Sequence, residues 1–234
     1  MNYLARALSY FLITDNWLGP AGLAARTFQH LEYTAAAVAV SALIAIPIGA
    51  IIGHTGRGTV IVVNAVNGLR ALPTLGVLLL AVLVWGLGLV PTIVALMLLA
   101  IPPLLAGADA GISSVDRTVV DAARAMGMTE IQVLLRVEMP IALPLILSGL
   151  RTATLQVVAT ATVAAYASLG GLGRYLIDGI EVRQYQIAVV GALMVAGLAL
   201  ILDAAFAFAV WLSVPGTGRL SMDRVKDAVR LGQR

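Results

Sequence analysis

The chain alternates between apolar runs long enough to cross a bilayer and short polar connections, and that pattern leaves few folds open. A membrane-spanning helix needs about 20 mostly apolar residues. Five segments reach that length: about 33–53, 59–85, 92–108, 145–169 and 185–212. Backbone groups in lipid must bond internally, so only helices and closed barrels can span. These runs are rich in Leu, Ala and Val and do not alternate as barrel strands would. The expectation is an all-α polytopic membrane protein with about five transmembrane helices. Composition agrees, since 60% of residues are hydrophobic and 12% charged, where a soluble domain has about 25% charged.

Within the spans, Asn64, Asn67, Arg70 and Pro73 interrupt the second, and Pro102-Pro103 falls near the end of the third. Pro73 and Pro102 are expected to kink their helices. Before the first span, Leu4, Leu8, Phe11 and Leu12 fall on one helical face. They suggest a short interfacial helix, with a plain flexible terminus as the rival reading. The domain plan is an N-terminal extracytoplasmic or interfacial segment over 1–32, a membrane domain over 33–212, and a basic tail over 213–234.

Cytoplasmic connections carry excess Lys and Arg. Arg57, then Arg117, Arg124 and Arg136, then Arg219, Arg224, Lys226, Arg230 and Arg234 fall on one side of a five-span chain; Arg6, Arg26, Arg174 and Arg183 fall on the other. Nine cations against four places the N-terminus outside and the C-terminus in the cytoplasm. The net charge of +3 is explained by this topology, and no nucleic-acid partner is expected.

No cysteine is present, which excludes disulfides, thiolate metal sites and thiol catalysis. His30 and His54 stand apart and are read as interfacial polar residues, so no metal site is expected. No G-x-x-x-x-G-K-[ST] phosphate loop occurs. The run Gly170-Gly171-Leu172-Gly173 lacks the Lys and Ser/Thr that should follow, and is read as a flexible re-entry element on the outer side. No catalytic constellation is visible, and no cofactor is implied.

A polar island interrupts the apolar pattern between the third and fourth spans, about 113–144. Asp121, Arg124, Glu130, Arg136 and Glu138 fall within twenty residues. It reads as two short helices joined at a glycine. Ser113 is expected to cap the first, with Asp116 three residues on. Val115, Val119, Val120, Ala123 and Met126 give it an apolar face. Gly127 fits a left-handed stop. Thr129 and Gln132 form a T-x-x-Q capping box for the second, and Pro140 closes it. Ala122, Ala123 and Ala125 leave room for another surface. An amphipathic segment lying on the membrane is the simpler alternative.

Asp121-Ala122-Ala123, Gly127 at the seventh position, Val137 at the seventeenth and Met139-Pro140 at the end resemble the EAA loop of ABC importer permeases. Asp replaces the family's Glu, Val its Ile and Met its Leu. HLEYTAAAVAVSALIAIPIGA, NGLRALPTLGVLLL, GLRTAT and AYASLGGLGRYLIDGI are similar to the glycine betaine/carnitine/choline permeases. Arg70 departs from the glutamine frequent there. The resemblance implies ATPase coupling through Asp121, Ala122, Ala123, Gly127, Val137 and Pro140. It also implies two ABC ATP-binding subunits, a second permease chain (homodimer or related heterodimer) and an extracytoplasmic substrate-binding protein, at the cell membrane. Another cargo such as methionine is the alternative; an ion-coupled carrier using Asp203 is a more distant one.

Charges in lipid default to functional readings. Asp203 is expected to pair with Arg70 or Arg151, a choice the residues leave open. Pro73 and Tyr166 are further candidates for the translocation path or helix pairing. Trp85, Tyr166, Phe206, Phe208 and Trp211 are too scattered for a cation–π cage.

Overall fold

The computed structural model describes residues 3–58, 64, 68 and 72–214. Among the described residues the ordered elements are all helical. They are α1 (Tyr3–Phe11), α2 (Leu23–Thr55), α3 (Thr74–Trp85), α4 (Leu89–Ser113), α5 (Arg117–Ala125), α6 (Glu130–Val133), α7 (Met139–Thr160), α8 (Gly173–Glu181) and α9 (Tyr185–Ser213). A π-helical turn, Leu134–Glu138, joins α6 to α7, and a 3-10 segment, Ala161–Ala167, follows α7.

Four helical stretches are long and apolar enough to cross a membrane: Leu23–Thr55, Leu89–Ser113, the continuous Glu130–Ala167 and Tyr185–Ser213. α3, with 12 residues, is apolar but shorter. Most of the first half of the second expected span, and Arg70 with it, lies outside the described residues, as does the tail from 215. Pro73 is the N-cap of α3 and not an interior kink. Its φ near −71° suits a helix start. Pro102 and Pro103 lie in the middle of α4 rather than near its end, and the helix runs on to Ser113.

The spans pack through small residues. Lipid chains are as apolar as Leu, so helices attract by close contact and not by expelling water. On α2, Ala37, Ala45, Gly49 and Gly53 are buried, whereas Leu43 and Ile51 point outward. Ala37 and Ala45 join Leu96, Ala100 and Leu104 of α4 and Ala153 and Val157 of α7 in one core. α4 and α7 meet glycine to glycine: a Cβ on Gly107 would lie 2.8 Å from the Gly149 Cα. On α2, a Cβ on Gly49 would lie 2.6 Å from the Leu105 carbonyl of α4.

The connection after α7 is tightly packed. His30 of α2 is fully buried within the protein, and its Nε2 lies 2.9 Å from the Val158 carbonyl, close to where α7 gives way to the 3-10 segment. The Gly171 amide donates to Gln29 Oε1 at 3.0 Å with φ +83°. A Cβ on Gly173 would strike the Thr162 backbone. The expected flexible element is therefore a fitted turn leading into α8. Nearby, α1 is a helix, one of the two readings left open, but Ala7, Tyr10 and Phe11 are the residues packed near Leu23, Tyr175 and Val190. Leu4, Leu8 and Leu12 are exposed.

Gly149→Leu should force α4 and α7 apart, costing about 1–3 kcal/mol through overpacking. Gly197→Leu, which meets nothing within 4 Å, should change little. Thermal unfolding of the two purified variants in detergent checks this; equal melting losses would contradict the glycine contact.

Candidate coupling element and intramembrane ion pair

The polar island folds as two capped helices, with the first cap shifted from its expected place. Ser113 is the last residue of α4, and its hydroxyl bonds Asp109. Asp116 is the N-cap of α5: its Oδ1 accepts from the Thr118 amide at 2.9 Å, which holds its carboxyl below the usual range. The free α5 amides favour an anion at that end.

Gly127 ends α5 as expected, with φ +84°. Its amide donates to the Arg124 carbonyl at 2.9 Å, and the Met128 amide donates to the Ala123 carbonyl at 3.2 Å. These two bonds make a Schellman motif, which needs the left-handed residue. The Thr129/Gln132 capping box forms with both bonds present. The second helix does not stop at Pro140. That proline sits in the first turn of α7, where it needs no amide partner, so the island's second helix runs through the π turn into a membrane span. The stiff joint is the glycine, and everything after it is one rod.

Val115, Val120, Ala123 and Val133 are buried together, with Met128 and Val137 packed on them. Ala123 is thus inside the element, while Ala122 and Ala125 are exposed. Val119 and Met126, expected on the apolar face, are exposed too, at 42% and 77%, along with Ile131 at 70% and Leu135 at 58%. These side chains form an outward apolar set on a charged element. Asp121, 71% exposed, accepts from Arg124 Nη1 at 3.2 Å. Arg124 also donates through Nε and Nη2 to both Glu130 oxygens, at 2.9 and 3.0 Å, which pushes the guanidinium further up.

The sequence reading missed what this network reaches. His54, in the last turn of α2, stands between Glu130 Oε2 at 3.0 Å and Glu138 Oε2 at 2.5 Å. Glu138 is 1% exposed. It is the last residue of the π turn, which nothing in the residue pattern announces.

A second ionic contact lies between the spans. Arg151 of α7 donates through Nε to Asp203 Oδ1 at 2.6 Å and through Nη2 to Oδ2 at 2.7 Å, a bidentate pair with α9. Of the two partners left open, the structure brings Arg151 to Asp203, while Arg70 lies outside the described residues. Tyr166, on the 3-10 segment, is half exposed. Phe208 and Trp211 stack with centroids 5.7 Å apart. Phe206 lines a largely apolar cavity of about 400 Å³ with Leu31, Thr34, Val38, Leu150 and Thr154. No cage of convergent aromatic faces appears among the described residues.

Comparison with known proteins gives these features a family. Residues 45–210 match the family described as binding-protein-dependent transport system inner membrane component. The choline transport system permease protein OpuBB of Bacillus subtilis is 31% identical over 202 residues, covering 86% of this chain and 91% of that protein. The glycine betaine/carnitine/choline transport system permease protein OpuCB of the same organism is 33% identical, covering 76% of this chain and 82% of that one. In fold, the chain is similar to the inward-facing MetNI methionine ABC transporter, with a TM-score of 0.69 at 21% identity over 80% of this chain and 94% of the other. With its membrane-length helices and matching family domain, the chain belongs to the permeases of binding-protein-dependent ABC transporters, inner-membrane subunits that are not themselves catalytic.

Proposed function

We propose that the chain is the permease of an ABC importer for small osmoprotectants of the glycine betaine, choline and carnitine type, and that α5 and α6 couple it to an ATP-binding subunit. The cargo reading rests on relatives at 31–33% identity whose names carry those solutes. The methionine transporter, at 21% identity, supports the fold alone. Two permease chains, this one with a copy or a related partner, would enclose the path. Two ATP-binding subunits would dock from the cytoplasm, and an extracytoplasmic binding protein would deliver the solute. The arginine distribution supports the N-terminus outside and the C-terminus inside.

One observation carries the coupling reading: the Schellman stop at Gly127 and the capping box at Thr129 make a rigid element that presents Val119, Met126, Ile131 and Leu135 outward around Asp121. A segment resting on the membrane would need neither two caps nor a buried core of its own. Closure of the ATP-binding subunits would then push this element and shift the spans between inward and outward access. Asp203, with both oxygens on Arg151, would serve as a tie between α7 and α9 and not as an ion-coupling carboxylate.

Uptake by a strain lacking this subunit should lose betaine, choline or carnitine import and regain it with the gene; unaffected uptake of all three would overturn the cargo. For coupling, Asp121→Ala should insert normally but weaken capture of the ATP-binding subunit by about tenfold or more, and wild-type capture would return the island to a membrane-resting segment. Gly127→Val should insert and bind nucleotide partners yet lose ATP-driven uptake. A β-branched residue at φ +84° costs about 1–2 kcal/mol, and normal uptake would show the joint to be irrelevant.

A further inference from the structure

The coupling element touches the first membrane span through an ionic chain that neither the motif nor the relatives assign. Asp121 meets Arg124, Arg124 clasps Glu130, Glu130 meets the His54 ring, and the ring's other nitrogen meets Glu138. His54 belongs to α2, while the acids belong to α5, α6 and the π turn. Glu130 and Glu138 lie on either side of most of that turn, so the ring bridges the part of the rod whose register is irregular. π turns are rare inside helices and frequent at functional sites. A tie across one keeps its two ends moving together.

We propose that His54 is the positioning residue that makes the end of α2 follow the coupling element, so that movement imposed at Asp121 is delivered to the first span. This rests on the coupling role of α5 and α6. The outer contacts of the chain are wet: Asp121 and Glu130 are more than half exposed, and such pairs are weak and screened. The inner contact is different. The His54 side chain is 11% exposed and that of Glu138 1%, so their attraction acts in a lower dielectric. The position also suits a cation, because the α2 carbonyls point toward it. After His54, α2 ends at Thr55, and Gly56 and Gly58 take left-handed φ values of +66° and +89°. Close packing adds a second constraint: Gly53 lies against the Asp109 carbonyl and Ile112 of α4, so α2 and α4 move as a pair once His54 is held.

The test uses the intact complex in proteoliposomes and reads ATP hydrolysed per solute imported, alongside capture of the ATP-binding subunit. His54→Ala should keep capture within about twofold of wild type but raise ATP consumed per solute by about tenfold or more. His54→Lys, which again places a hydrogen-bond donor between the two acids, should recover most of the lost coupling. A wild-type ratio in His54→Ala would overturn the proposal, and so would a His54→Lys protein as uncoupled as the alanine variant. Should His54→Ala fail to assemble because Glu138 is left buried and unpaired, the double variant H54Q/E138Q leaves no buried charge in that pair. It should assemble and show the same loss, and normal coupling in it would equally overturn the proposal. Loss of capture, as anticipated for Asp121→Ala, would mark a failure of docking and not of His54.

Discussion

Helices in hydrocarbon gain little from hiding apolar side chains, because the solvent is equally apolar; they gain from atoms brought close enough for dispersion and from polar groups that find each other. The fold depends on that constraint. Gly49, Gly107 and Gly149 remove the side chains that would keep α2, α4 and α7 apart, and the large residues Leu43, Leu83 and Leu200 are left facing outward. A soluble bundle would have the opposite arrangement. The compact trio of α2, α4 and α7 is what gives the coupling element a firm base, since α5 leaves the end of α4 and α6 runs into α7.

Given such a base, the few charges retained near it are the informative ones. Arg151 and Asp203 tie α7 to α9, which has few buried residues of its own. His54 and Glu138 tie α2 to the rod that begins in the coupling element. Removing one partner of a buried pair costs more than the pair contributes, because the other charge is stranded.

Much of this was legible in the residues. Four of the five span positions followed from apolar length, the Gly127 stop and the Thr129 capping box from local backbone chemistry, and the Arg151–Asp203 contact was one of two options for a charge too deep to snorkel. What escaped depended on tertiary register. His30 and His54 each flank an apolar run, which says nothing of their partners: one is wholly buried against Val158 and the other grips two acids. Pro140 was taken for a stop because proline breaks helices, but in a first turn it is tolerated, so the rod continues. Val119 and Met126 were assigned inward by periodicity; the short α5 buries only Val120 and Ala123.

The absence of native cysteine makes one measurement direct. A single cysteine at Met126, on the exposed rim of the coupling element, can be cross-linked in the assembled complex, with a single cysteine at Leu83, 81% exposed on α3, as the comparison. The account predicts that Met126→Cys joins to the ATP-binding subunit, that the yield changes when ATP is added, and that Leu83→Cys does not join to it. Failure of Met126→Cys to join in either nucleotide state, or equal joining from Leu83→Cys, would contradict the assignment of α5 and α6 as the site where ATP-driven motion enters the permease.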